Sequence, residues 1–166
     1  MAKEEQGRVL RESEFDPTTT QAIKSGWPKQ AFHVSHLREE EFRNDGFHSY
    51  VLTRDLGFAQ ATGGMVQAHV NRRARPFDAA EVSHPHFHDT RFQMVYVLKG
   101  WVRSEFEGQG VLEMREGSCW IQPPGIKHNV LGFSDDLEIL EVIMPAQYVT
   151  VNLDGPVPSS GESSPG

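Results

Sequence analysis

Between residues 49 and 144 the chain breaks into short extended segments punctuated by glycine and proline, and nowhere does it hold a helical period long enough for an amphipathic helix of several turns. Alternation over four to eight residues, bounded by turn formers, is the pattern of half-buried strands. It predicts strands at 49–54, 58–62, 65–71, 92–98, 102–106, 111–114, 119–122, 128–132 and 137–144. Gly100 and the run Glu107-Gly108-Gln109-Gly110 fall where hairpin turns are needed. The one short helical candidate is 37–43. So many short strands at this spacing imply an all-β domain, a small antiparallel sandwich or barrel. The 166 residues suit one such domain, with enough apolar content for a packed interior.

Outside this block the chain changes character. Residues 1–30 are polar and broken by Asp16-Pro17 and Gly26-Trp27-Pro28, which reads as an N-terminal arm; the barrel is expected over 31–148 and a flexible, Ser/Gly/Pro-rich tail over 149–166. A formal net charge of −7 argues against a general nucleic-acid or anionic-membrane surface, either of which needs a contiguous basic face. The short basic run 71–75 reads as a solvated loop with some capacity to hold an anionic substrate. Cys119 is the sole cysteine, so no intramolecular disulfide forms. The first fifteen residues carry charge throughout and lack an apolar run, which excludes a secretion signal or membrane span there and makes a cytoplasmic location the expectation.

The chemistry concentrates in HPHFHDTRFQ, where His84, His86 and His88 occupy alternate positions. In an extended segment such residues share a face, so neighbouring imidazoles can grip one divalent cation. Gln93 lies an odd number of residues beyond His88, which a continuous strand would send to the opposite face. A reversal at Asp89-Thr90 starts a new strand with its own parity and removes that objection. Downstream, Pro123-Pro124-Gly125 makes a rigid turn just before His128, holding that ring at a defined angle as a strand begins.

These residues resemble the two motifs of the cupin superfamily, G(X)5HXH(X)3,4E(X)6G and G(X)5PXG(X)2H(X)3N. His86, His88 and Gly100 match the first, and Gly117, Pro123, Gly125 and His128 the second, at the family's spacing. Glycine and proline are too infrequent for such agreement to be accidental. Three positions depart: Ala80 for the opening glycine, Gln93 for the glutamate, and Gly132 for the closing asparagine. The resemblance spans roughly 49–145 and is to small, single-domain members.

It implies a double-stranded β-helix, or jelly-roll barrel, in which His86, His88, Gln93 and His128 surround one divalent metal ion (Ni, Zn, Fe or Mn). Exchange of a carboxylate for an amide leaves the ion its full formal charge, making it a stronger Lewis acid held less tightly. His84 falls outside the ligand register and is the candidate general base at the mouth of the site. Cys119 lacks an activating base, and His33, His36, His48 and His69 lack ligand spacing, although His69 sits in a strand whose alternate residues could line the cavity; Glu141 and Arg103 are further candidate pocket groups whose faces the sequence does not decide.

By resemblance the chain is expected to be a metal-dependent enzyme acting on a small, oxygen-rich organic substrate. The three-histidine-plus-glutamine set is similar to that of the small cupin that turns unsaturated uronate fragments into linear keto sugars. A non-haem dioxygenase of an enolisable substrate, or a non-catalytic binder of a sugar or small acid, are the other readings of the same set. Family habit implies a homodimer, with 31–34 the segment that pairs; no nucleic-acid or membrane partner is expected.

Overall fold

The protein was described from a computed structural model, which defines residues 11–16, 26–44 and 48–159. Ten strands form two antiparallel five-stranded sheets. The first sheet is built from β1 (Val51–Asp55), β2 (Gln67–Arg73), β9 (Glu138–Met144), β4 (Phe92–Lys99) and β7 (Cys119–Ile121), adjacent in that order. The second runs β10 (Val149–Asn152), β3 (His86–Asp89), β8 (His128–Phe133), β5 (Trp101–Phe106) and β6 (Gly110–Arg115). This is the jelly-roll barrel expected from the motifs.

Side-chain alternation sets what faces inward. Along β4, Gln93, Val95 and Val97 are buried while Tyr96 and Leu98 are exposed, so the period of two decides the inner face. On β5, Val102, Ser104 and Phe106 do the same from the other sheet. Val95, Val97, Val102, Phe106, Phe133, Leu137 and Ile139 pack into one apolar cluster. Each side chain of this kind contributes about 1.5–3 kcal/mol when fully buried. The inner face turns polar toward the other end of the same strands, through Glu141, His69 and Gln93, and there the interior opens. Gly100 makes the β4–β5 turn at φ 73°, where a Cβ would come within 2.7 Å of the Asp136 carboxylate.

Two expected elements differ. The segment 58–62 forms not a strand but a helical turn, α1 (Phe58–Ala61). Its Phe-Ala-Gln-Ala-Thr alternation mimics a strand, but Gly57 at φ 78° and the Asp55 carboxylate accepting the Gly57 N–H (2.7 Å) reverse the chain first. The helix expected at 37–43 contracts to a single 3-10 turn, Glu39–Glu41. Three successive glutamates have no apolar stripe to bury, and the turn is held instead by Arg54 on Glu41 (3.1 Å) and by Arg72 on Glu39. A second helical turn, α2 (Ala79–Val82), capped by Asp78 on the Ala80 N–H, leads into β3.

The carboxyl-terminal segment carries a strand of its own. The boundary drawn at 149 falls at the start of β10, which pairs with the whole of β3. Val149-Thr150-Val151 is β-branched throughout and supplies the edge that β3 lacks. Beyond it Leu153 N–H bonds the Pro85 carbonyl, and Val157 is buried. Residues 160–166, like 1–10 and 17–25 of the arm, lie outside the described residues. The segment 31–34 runs extended with Phe32 almost wholly exposed. No helix among the described residues is long and apolar enough to cross a membrane.

Candidate metal centre

β3 and β8 meet where His86 stands opposite His128. The PxG turn fixes this meeting: Gly125, at φ 76°, donates its N–H to the His88 carbonyl (3.1 Å), and Ile126 N–H closes the turn on Pro123 (3.1 Å). The segment that carries His128 is therefore tied directly to the strand that carries the other two imidazoles. Ring centroids lie 4.3 Å apart for His86 and His128, 4.9 Å for His86 and His88, and 5.1 Å for His88 and His128. One nitrogen from each ring lies within 4.8 Å of the others.

Each ring is oriented through its other nitrogen. His86 Nδ1 donates to the His84 carbonyl (2.6 Å) and His128 Nδ1 to the Ile126 carbonyl (3.0 Å), acceptors that force the proton onto Nδ1. His88 Nδ1 meets the Thr150 hydroxyl of β10 at 2.8 Å. This leaves the Nε2 atoms of His86 and His128 as lone-pair donors, the arrangement by which outer hydrogen bonds fix tautomers in metal sites, whereas the Thr150 hydroxyl orients the His88 ring and serves either of its tautomers. Gln122 agrees with the His128 tautomer: Trp120 Nε1 donates to its Oε1 (3.1 Å), turning its amide nitrogen toward the His128 Nε2 lone pair at 3.4 Å, a contact that a bound ion would displace.

Burial, then the charge of His86, pushes His88 and His128 down to about 4. Both rings are neutral at neutral pH. Metal–imidazole bonds of about 2.0–2.1 Å need small rotations of rings already this close, so the donor set fits a divalent ion such as zinc, nickel, iron or manganese. The sign of the pH effect follows. With folded values below the ordinary 6.5, the unfolded chain binds more protons at these two rings between about 4 and 6.5, so they cost the metal-free protein stability as pH falls through that window. Urea midpoints of chelator-treated protein should fall from pH 7 to pH 4.5, and less steeply in a His128→Gln variant.

Gln93 lines the same cavity from the opposite sheet; it is buried, and its side chain hydrogen-bonds to no described residue. His84 is exposed at the cavity's edge, and its contact with the cluster is made by its backbone carbonyl. Cys119 is exposed on the first sheet.

Several groups escape a reading of spacing alone. Glu141 of β9 stands across from Val95 on one side and His69 on the other, which turns its carboxylate inward. Its Oε2 lies 3.4 Å from His69 Nε2. Burial opposes ionisation of Glu141, but His69, His88 and Arg73 together hold its carboxyl below the usual range. Burial likewise works against a charged His69, yet Glu141 and then Asp55 raise its pKa. Tyr148, whose ring is 5.7 Å from that of His88, is pushed up to about 12 by burial and then by Glu141, and remains a proton donor. These groups share a cavity of about 1490 Å³ that opens between the sheets.

Residues 77–143 match the family model described as "Cupin domain". Among solved structures, KdgF from Halomonas sp. superposes with a TM-score of 0.53 at 18% identity, covering 68% of this chain and 96% of its own. The polyketide cyclase RemF from Streptomyces resistomycificus gives 0.56 at 18% identity, over 74% of this chain and 87% of that one. A structure of Bacillus subtilis oxalate decarboxylase, described by its Mn(II) centres, gives 0.50 at 16% identity over 69% and 30%. At such identities the likeness is one of fold. No curated protein matches the chain significantly.

Proposed function

Because this chain carries a cupin domain, whose solved neighbours include metal-dependent enzymes of small molecules, we propose that His86, His88 and His128, with Gln93 completing the set, hold one divalent ion for catalysis on an oxygen-rich organic substrate. The observation that carries this reading is the convergence of one nitrogen from each of three imidazoles to within 4.8 Å, each ring oriented by a hydrogen bond at Nδ1. When bound, the metal supplies Lewis-acid polarisation of adjacent substrate oxygens. The donor set lacks a carboxylate. The buried carboxylate in the cavity is instead Glu141, held by His69 and poised to take a proton from substrate carbon. Tyr148 keeps its proton and donates a hydrogen bond to the oxygen that gains charge. Proton removal at one carbon and return at its neighbour is an isomerisation of the keto-sugar type, and it needs no covalent intermediate.

Metal analysis of protein purified without chelators, coupled to an oxygen electrode and a panel of diketones and keto acids, tests the proposal. About one Ni, Zn, Fe or Mn per chain, with isomerisation and no oxygen uptake, is the expected result. Oxygen uptake would transfer the same ligands to dioxygenase chemistry. Metal retained in Gln93→Ala would remove the amide from the ligand set. A protein that takes up none of the four ions would end the proposal.

A further inference from the structure

The cavity contains a cation that no ligand described so far explains. Arg73, at the end of β2, lines it with a guanidinium 4.5 Å above the Phe133 ring and 5.7 Å from the Tyr50 ring. Its Nε is buried and has no hydrogen-bond partner. The neighbouring arginines are neutralised within the protein: Arg54 by Glu41, Arg72 by Glu39 and Glu138, Arg75 by Glu81. Among the described residues no carboxylate comes within ion-pairing distance of Arg73; Glu141 acts on it only through space.

The cavity's acidic groups are engaged elsewhere. Glu41 faces Arg54, Asp55 accepts the Gly57 N–H, Glu81 meets Arg75, and Glu141 is taken by His69. Arginine does not escape the cost of burial by losing its proton at accessible pH. A half-buried guanidinium with a buried, unpartnered Nε and no ion pair is therefore costly unless something else offsets it. Aromatic rings cover its face, and an edge of N–H groups is what remains for a partner. A planar carboxylate fits that edge by two parallel hydrogen bonds. One guanidinium balances one negative charge, which suits a carboxylate better than a doubly charged phosphate.

We propose that Arg73 is the residue that selects the substrate of this cavity, by binding a single carboxylate group on a small organic acid. The proposal rests on the reading that the cavity takes a small-molecule substrate, but not on the metal. Tyr50 and Phe133 position the guanidinium, and the rest of the substrate extends from it into the cavity.

The test uses benzoate and benzamide, which share a shape and differ in charge, titrated into the full-length protein as purified and again after chelation, with saturation-transfer NMR as readout. Benzoate is expected to bind roughly tenfold or more tightly than benzamide in both preparations, the yield of a charge-assisted hydrogen-bonded pair of about 1.5 kcal/mol or more. Arg73→Gln should bring the ratio close to one, and Arg73→Lys should keep a preference for benzoate at lower affinity. Inorganic phosphate should compete more weakly than benzoate. Melting curves identify any variant that fails to fold, and the wild-type ratio stands without the variants. Equal binding of the two probes by wild type, no binding of benzoate, or a ratio that survives in Arg73→Gln overturns the proposal. A preference for benzoate in a protein that takes up no metal would sink the proposed metal chemistry and leave this inference standing.

Discussion

Replacing His128 with alanine should leave the protein without its divalent ion. His128 is 5% exposed, begins β8 immediately after a rigid turn, and is oriented by the Ile126 carbonyl, so alanine removes the one imidazole that β8 brings to the cluster. Structural zinc sites bind by about 10–16 kcal/mol through four ligands, so losing one strong ligand costs roughly 3 kcal/mol, or about 10²-fold in affinity and more. The stability consequence is separable from the loss of packing. A ligand at about 100 times its Kd stabilises the folded state by about 2.7 kcal/mol. In a domain of this size that is a rise in Tm of about 5–10 °C. Wild type should show that rise on adding metal after chelation, and His128→Ala should show almost none. Elemental analysis gives the direct measurement, and a variant holding one ion per chain with unchanged affinity would exclude His128 from the ligand set.

The second large effect is expected at Glu141. Glu141→Gln keeps the size of the side chain and removes its charge, so the metal content should stay at the wild-type value. Turnover of whichever substrate the panel identifies should fall by roughly 10²- to 10⁴-fold, the usual contribution of a positioned acid or base. Exchange of substrate carbon-bound hydrogen with solvent deuterium should fall in parallel. His69 supplies a reporter independent of activity. Glu141 is the principal group that raises its pKa against burial, so without that charge burial prevails and the imidazole should titrate below its ordinary value. Normal exchange in the variant would assign proton removal to another group, whereas an unmoved His69 would contradict the ion pair itself.

What the sequence made legible follows from how local each signal is. His86 and His88 are two residues apart, and His128 is positioned by a turn three residues earlier, so spacing within short windows carried the cluster. Which face Glu141 occupies was out of reach for the opposite reason. Its neighbours Val95 and His69 come from strands 46 and 72 positions away in the chain, and a slip of one residue in either pairing would have sent its carboxylate outside. Arg72 and Arg73 pose the same difficulty side by side: one is taken up by surface glutamates and the other enters the cavity, a distinction that register alone decides. The error at 58–62 had another origin. An alternating pentapeptide satisfies the strand period, and only the reversal before it, through Asp55 and Gly57, commits it to a helical turn. Val149–Asn152 was passed over because an edge strand needs a neighbour with an open side, and that opening belongs to β3.

The hydroxyl of Thr150 that meets His88 links the last strand to the chemistry of the interior. Loss of β10 would leave the His88 ring without this partner at Nδ1. The carboxyl-terminal strand and the segment from His33 to Arg43 thus bound one cavity from opposite ends of the chain, so a change at either end bears on what the interior can hold.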